Sequence, residues 1–322
     1  KYDSWWGIYS LPAVNENDPS YRDFIFASEN SVVRRWLRAG ADGWRLDVAD
    51  ELPDDFVHGI HAAARAEKPN AVVIGEVWED GSTKVAYGVR RKHILGGHCD
   101  GLMNYPLRSA ILSFFQGGGG EAFVKGMETI RENYPPFAFY SAMNFLGTHD
   151  TPRVLTLLGG CRLPEGREAQ SAFLLTPDQR HAALERLHVA AAILFTFPGS
   201  PMIYYGDEAG LEGAADPFNR RTYPWGRENR ELLEWFQTLG RLRKGRVSLR
   251  RGSLLWLEAQ GPLLAYLREE GHEATATLVN AGPETRVVSL PGEGFRDLIS
   301  GEVVAGREAP VPPYSVRILG RD

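Results

Sequence analysis

The stretch DGWRLDVADELPDDFVHGIHAAARAEKPNAVVIGEV, residues 42–77, reads as strand, helix, strand. Its ends, DGWRLDV (42–48) and AVVIGEV (71–77), are short apolar runs without strict polar alternation, so both are expected to be strands covered on two faces. Between them Phe56, Val57, Ile60, Ala63 and Ala64 fall at i, i+1, i+4, i+7 and i+8, which is one face of a helix. Acidic residues occupy its first turn, where the helix dipole favours negative charge. A strand–helix–strand order implies parallel pairing through a right-handed crossover.

Working outward, CDGLMNY (99–105), AMNFLGT (142–148) and SPMIYYG (200–206) repeat the strand theme. PDQRHAALERLHVAAAILF (177–195) and NRELLEWFQTLGRLRKG (229–245) read as long helices, the second ended by Gly245. GGGG (117–120) is expected to be a loop between helices. Beyond residue 247 the texture changes. LLWL, LLAYLR, ATATLVN, TRVVSL and YSVRIL follow at short intervals between Gly, Pro, Asn and Glu, the pattern of an antiparallel β-sandwich. Two domains are therefore expected, an α/β part over residues 1–246 and an all-β antiparallel sandwich over 247–322.

The chain's 322 residues exceed one ordinary domain, although a large α/β barrel absorbs most of them. A hydrophobic fraction of 43% and a charged fraction of 24% are globular values. Thirty-six Lys and Arg against 41 Asp and Glu give a net charge of −5, which argues against a nucleic-acid partner. No apolar run approaches the roughly 20 residues that cross a bilayer, so no membrane partner is expected. Cys99 and Cys161 fit neither a disulfide scaffold nor a zinc spacing and are expected to be buried thiols.

Three of the strands end in an ionisable residue. GWRLD places Asp47, VVIGE places Glu76, and NFLGTHD places His149 and Asp150. In parallel α/β barrels, reactive groups collect at the C-terminal strand ends, where loops reach a ligand. Two carboxyl groups about 5–5.5 Å apart across a glycosidic bond are the equipment of a retaining glycosidase. Arg45, two residues before Asp47, leaves the strand on the same side and would keep that carboxylate ionised. Each residue also has a plainer reading. Asp47 could be a cap or an ion-pair partner, Asp150 could cap the next helix, His149 could be a satisfied loop residue, and Trp78 could be a buried core ring.

GWRLDVADE (43–51), GEVWED (75–80) and FLGTHDTPR (145–153) resemble three signature segments of the α-amylase family of glycoside hydrolases. LPAVN (11–15) and GSPMIYYGDEAGLEG (199–213) resemble two further segments, and WWG, GEVW and MNYP are most similar to its cyclomaltodextrinase, neopullulanase and maltogenic-amylase branch. The resemblance implies a (β/α)8 TIM barrel, of which about five βα units lie here. The rest of the barrel would come from a missing N-terminal half or another subunit. It implies Asp47 as nucleophile and Glu76 as general acid and base. Asp150 and His149 would bind the sugar in the −1 subsite, Arg45 would orient Asp47, and Trp78 would offer its face to a glucose ring. Asp216, Arg220 and Arg221 would reach a distal sugar or pair on the surface, and Trp5 and Trp6 would pack beneath LPAVN. Where the branch often carries Asn, Asp50 is expected to add a charge on the leaving-group side.

The implied activity is retaining hydrolysis of α-1,4-glucosidic bonds in maltooligosaccharides, cyclodextrins or pullulan. A glucan transferase or isomerase with the same acids, a non-catalytic sugar-binding relative and an inactive fragment are the alternatives. No organic cofactor is implied. Calcium occurs in parts of the family, but no Asp-x-Asp ligand cluster is seen here. The branch resemblance implies a cytoplasmic location.

Overall fold

A computed structural model describes residues 2–322, which divide into two compact units. One takes the chain up to Met103 together with Asn133–Ala142; the other takes Asn104–Glu132 and Met143–Asp322.

In the first unit, β1 (Gly43–Leu46), β2 (Val72–Gly75) and β3 (Gly101–Leu102) form a parallel sheet in that order. The register pairs Gly43 with Val72 and Leu46 with Gly75. Gly43 is needed here, because a Cβ would stand 2.0 Å from the Val72 carbonyl oxygen. Helix α1 (Val32–Arg38) precedes the sheet, and α2 (Asp54–Glu67) makes the crossover from β1 to β2. The five apolar positions of α2 anticipated from spacing are all buried. Lys68 ends the helix in an extended conformation, as the residue before Pro69 must.

In the second unit, α3 (Tyr105–Ser113) and α4 (Gly119–Asn133) meet across the glycine run. That run is not a plain loop. A π-turn over Phe114–Gly118 leads directly into α4, with Gly117 and Gly119 at positive φ. Strand β4 (Met143–Asn144) pairs in parallel with β5 (Ser200–Pro201). The long α5 (Pro177–Thr196) starts with a capping box between Thr176 and Gln179, and its last turns from Val189 to Thr196 are buried. Helix α6 (Arg230–Gly245) follows and ends where expected.

Seven strands complete this unit: β6 (Ser253–Gln260), β7 (Leu263–Glu270), β8 (Glu273–Asn280), β9 (Arg286–Ser289), β10 (Arg296–Asp297), β11 (Glu308–Val311) and β12 (Ser315–Arg321). Five of them form an antiparallel sheet in the order β10-β12-β8-β7-β6, and β9 pairs with β11 in a second, smaller sheet. Their inner side chains, among them Leu267, Leu278, Val288, Phe295, Val311 and Leu319, make one buried core. The sheet domain is tied to the end of α5. Tyr266 and Thr196 share a 2.6 Å hydroxyl contact, and buried Arg268 donates to the Thr196 carbonyl at 2.8 Å. Cys99 is buried as expected, whereas Cys161, in a segment without regular secondary structure, is only partly covered.

Candidate active site

The first unit brings together Arg45, Asp47, Glu76 and Trp78. Asp47 and Glu76 each lie one residue beyond the last register pair, Leu46 and Gly75, so neighbouring strands deliver them at matching positions. Arg45 joins them. One guanidinium nitrogen forms an ion pair with Asp47, and the other lies 2.8 Å from Glu76 Oε2. The two acids differ sharply in setting. Asp47 has 71% of its side chain exposed, while Glu76 is 2% exposed.

Glu76 is held from three directions. Besides Arg45, its Oε2 accepts the Val48 N–H at 2.8 Å and its Oε1 accepts the Trp78 indole N–H at 3.0 Å. The first of these depends on an unusual backbone. Val48 sits in the left-handed region, φ 34° and ψ 67°, which turns the chain sharply after Asp47. Trp78 is 48% exposed, so it is no core ring and presents a face to solvent.

One expectation for this neighbourhood is overturned, at Trp6, and Asp50 has partners that the sequence did not announce. Asp50 is buried, 2.9 Å from His93 Nε2 and 3.1 Å from Lys84 Nζ. Burial alone would raise its pKa, but the hydrogen bonds from His93 and Lys84 outweigh that and hold it below the usual carboxylate range. Trp6 does not pack beneath LPAVN. It is 67% exposed, stacks on Trp5 at 5.1 Å between ring centroids, and donates its indole N–H to Glu51, where hydrogen bonding substitutes for burial.

The second unit holds His149 and Asp150, with His149 Nε2 3.1 Å from Asp150 Oδ2. Asp150 does not cap the following helix, whose N-cap position is Arg153. Arg220 lies 3.7 Å from Asp150 Oδ1 and bonds Asp216 at 2.5 Å. Arg221 turns away and donates to the Ser171 carbonyl.

Sequence reasoning gave no role to Asn219 or Arg153, and offered Asp207 as a residue that lines the rim or supports loops. The Asn219 side-chain amide donates to the carbonyls of His149 at 2.7 Å and Thr151 at 2.8 Å, with Thr148 at 3.4 Å. Arg153, fully buried, donates to the Asn219 carbonyl at 2.7 Å, lies 3.1 Å from Asp207 and stacks on Tyr204 at 4.0 Å. Burial pushes the Asp207 carboxyl up to about 7 despite the neighbouring Arg153. Only their place inside motifs, HDTPR and PFNRR, hinted at Arg153 and Asn219. Among the described residues, no group of three or more His, Cys, Asp or Glu is placed to hold a metal ion, and no helix is long and apolar enough to cross a membrane.

A family profile described as "Alpha amylase, catalytic domain" matches residues 7–249. An amylopullulanase from Thermoanaerobacter thermohydrosulfuricus is 37% identical over 83% of this chain and 19% of its own length. A cyclomaltodextrinase from Geobacillus thermopakistaniensis is 31% identical over 98% of this chain and 53% of its own. Among solved structures, a cyclic α-maltosyl-(1→6)-maltose hydrolase from Arthrobacter globiformis superposes with a TM-score of 0.78 at 26% identity, covering 99% of this chain and 64% of that one. The chain thus spans between about a fifth and about half of those curated relatives' length.

Proposed function

The chain belongs to the α-amylase catalytic-domain family, and from that premise we propose that it is the catalytic part of a retaining α-glucan hydrolase. Its fold is TIM barrel-like with a C-terminal sheet domain. In the proposal, residues 1–246 supply about five βα units of the barrel and 247–322 the accessory domain. The remaining strands would come from chain outside these residues or from another subunit. The substrates would be maltooligosaccharides, cyclodextrins or pullulan, cut at α-1,4 bonds.

The observation that carries the reading is Arg45, whose single guanidinium contacts both Asp47 and Glu76. An exposed carboxylate that a substrate can reach suits a nucleophile, and a secluded one suits a proton donor. In the first step Asp47 attacks the anomeric carbon, the glycosidic C–O bond breaks, and Glu76 gives its proton to the departing oxygen. In the second, Glu76 takes a proton from water, whose oxygen displaces Asp47 and returns the sugar with its α-configuration. By family resemblance, Asp150 and His149 are assigned the hydroxyls of the −1 sugar, and Trp78 stacks on a glucose ring.

Glu76→Gln keeps the side chain's size and removes its proton chemistry. Turnover of a chromogenic maltoside should fall by about 10²–10⁴-fold. Azide should restore turnover of a substrate with an activated leaving group, since the anion attacks the glycosyl-enzyme without needing a base, displaces Asp47 and forms a glycosyl azide. Equal rates in variant and wild type would refute the proposal.

A further inference from the structure

We propose that Asn219 is a positioning residue for Asp150. This deepens, and rests on, the reading of Asp150 as a group that binds the reacting sugar. Asp150 stands on a loop outside any regular ladder, so its backbone needs partners from elsewhere. Its preceding peptide is anchored at both ends: the His149 carbonyl accepts from Asn219, and the Asp150 N–H donates to Thr148 Oγ1 at 3.2 Å. Its following peptide is anchored through the Thr151 N–H, which donates to the Thr148 carbonyl at 3.3 Å. That same carbonyl, and the one at Thr151, face Asn219. The planes on either side of Asp150 are therefore fixed, and with them the direction in which its carboxylate leaves the chain.

A primary amide carries two hydrogens, which matches the two short bonds to His149 and Thr151, with Thr148 as a longer third neighbour. The oxygen of the same amide, Asn219 Oδ1, is buried without a hydrogen-bond partner. An orphaned buried acceptor costs stability, so Asn at this position is an expensive way to fill space. Its donors are what the position uses. Asn219 is itself immobilised through Arg153, and the next residue, Arg220, approaches the Asp150 carboxylate directly. One short segment thus steadies both the backbone and the charge of Asp150.

The test uses Asn219→Ala and the isosteric Asn219→Asp, which keeps volume but loses the donors, in the full chain. Both should lower kcat by about 10–100-fold with a smaller change in KM, the scale of a catalytic group displaced by a fraction of an ångström. In an Asp150→Asn background, Asn219→Ala should cost less than about twofold more, because residues acting through one another are non-additive. Hydrogen exchange of the amides of Asp150 and Thr151 should quicken at least about tenfold, while amides of β8 keep their protection. Multiplicative losses in the double variant, or wild-type exchange in this loop, would overturn the assignment. The exchange readout needs no activity, so a failure of the hydrolase reading, seen as Glu76→Gln with wild-type rates, is separable from a failure here.

Discussion

Arg45 lies 2.8 Å from Glu76 across the β1–β2 pair, while its other guanidinium nitrogen engages Asp47. A planar, delocalised guanidinium can pair its charge with two carboxylates at once, hydrogen-bonding only Asp47 here, which a lysine ammonium on a flexible stem cannot do with the same geometry. The two acids are thereby fixed relative to one another by a single cation.

Replacing that cation should be felt by both. Arg45→Met is expected to lower kcat/KM on the order of 10²-fold, and Arg45→Lys should recover only a small part of the loss. Steady-state kinetics on a chromogenic maltoside is the check. A lysine variant as fast as wild type would show that charge alone suffices.

Trp78 has two separable duties, an exposed ring face and an indole N–H donated to Glu76. Trp78→Phe keeps a face and loses the donor, so kcat should fall by about 3–10-fold, the worth of one ordinary hydrogen bond, with KM nearly unchanged. Trp78→Ala should raise KM as well. Identical profiles for the two variants would mean that the ring does not touch sugar.

Asp207 makes stability depend on pH. Its carboxyl is raised by burial to about 7 from an ordinary 3.8, so the folded chain keeps a proton that the unfolded chain releases. The resulting stabilisation is complete below the unfolded value and is lost as pH rises through the folded one. Asp207→Asn removes the titration, so the wild type's stability relative to the variant should decline between pH 4 and 8 (about four decades of proton activity). Calorimetric Tm values for both proteins across that range would run parallel if the carboxyl were already ionised at pH 4.

Arg268 is fully buried, with its donors on the carbonyls of Thr196, Gly252 and Ser253, at the end of α5 where the helix dipole favours a cation. Arg268→Ala strands those carbonyls and opens a cavity. A loss of about 3 kcal/mol, seen as a Tm lower by about 6 °C or more, is expected. A shift below about 1 °C would show that the sheet domain is held by its apolar contacts alone.

The strand ends that carry Asp47 and Glu76 were legible because an acid directly after an apolar run breaks a local pattern. The buried face of α2 was legible for the same reason, since its period lies within a few residues. What stayed hidden depends on partners far along the chain. Lys84 and His93 neutralise Asp50 from a separate loop, and Asn219 reaches His149 from 70 residues away. Neither pairing leaves a periodic trace. The extent of β5 was also overestimated, since its pairing with β4 covers only Ser200 and Pro201. Exposure at Trp6 escaped notice because an indole can satisfy itself through its nitrogen as well as by burial.

Val48 holds its left-handed turn without being glycine, at a cost of about 1–3 kcal/mol, and its amide serves Glu76. A laboratory selection that rewarded only survival of heating would enrich glycine at this position, since glycine adopts the same angles freely. Under the proposed function, the survivors would outlast their parent in a hot bath and trail it in sugar released per minute, because a relaxed hinge no longer holds the amide that serves Glu76.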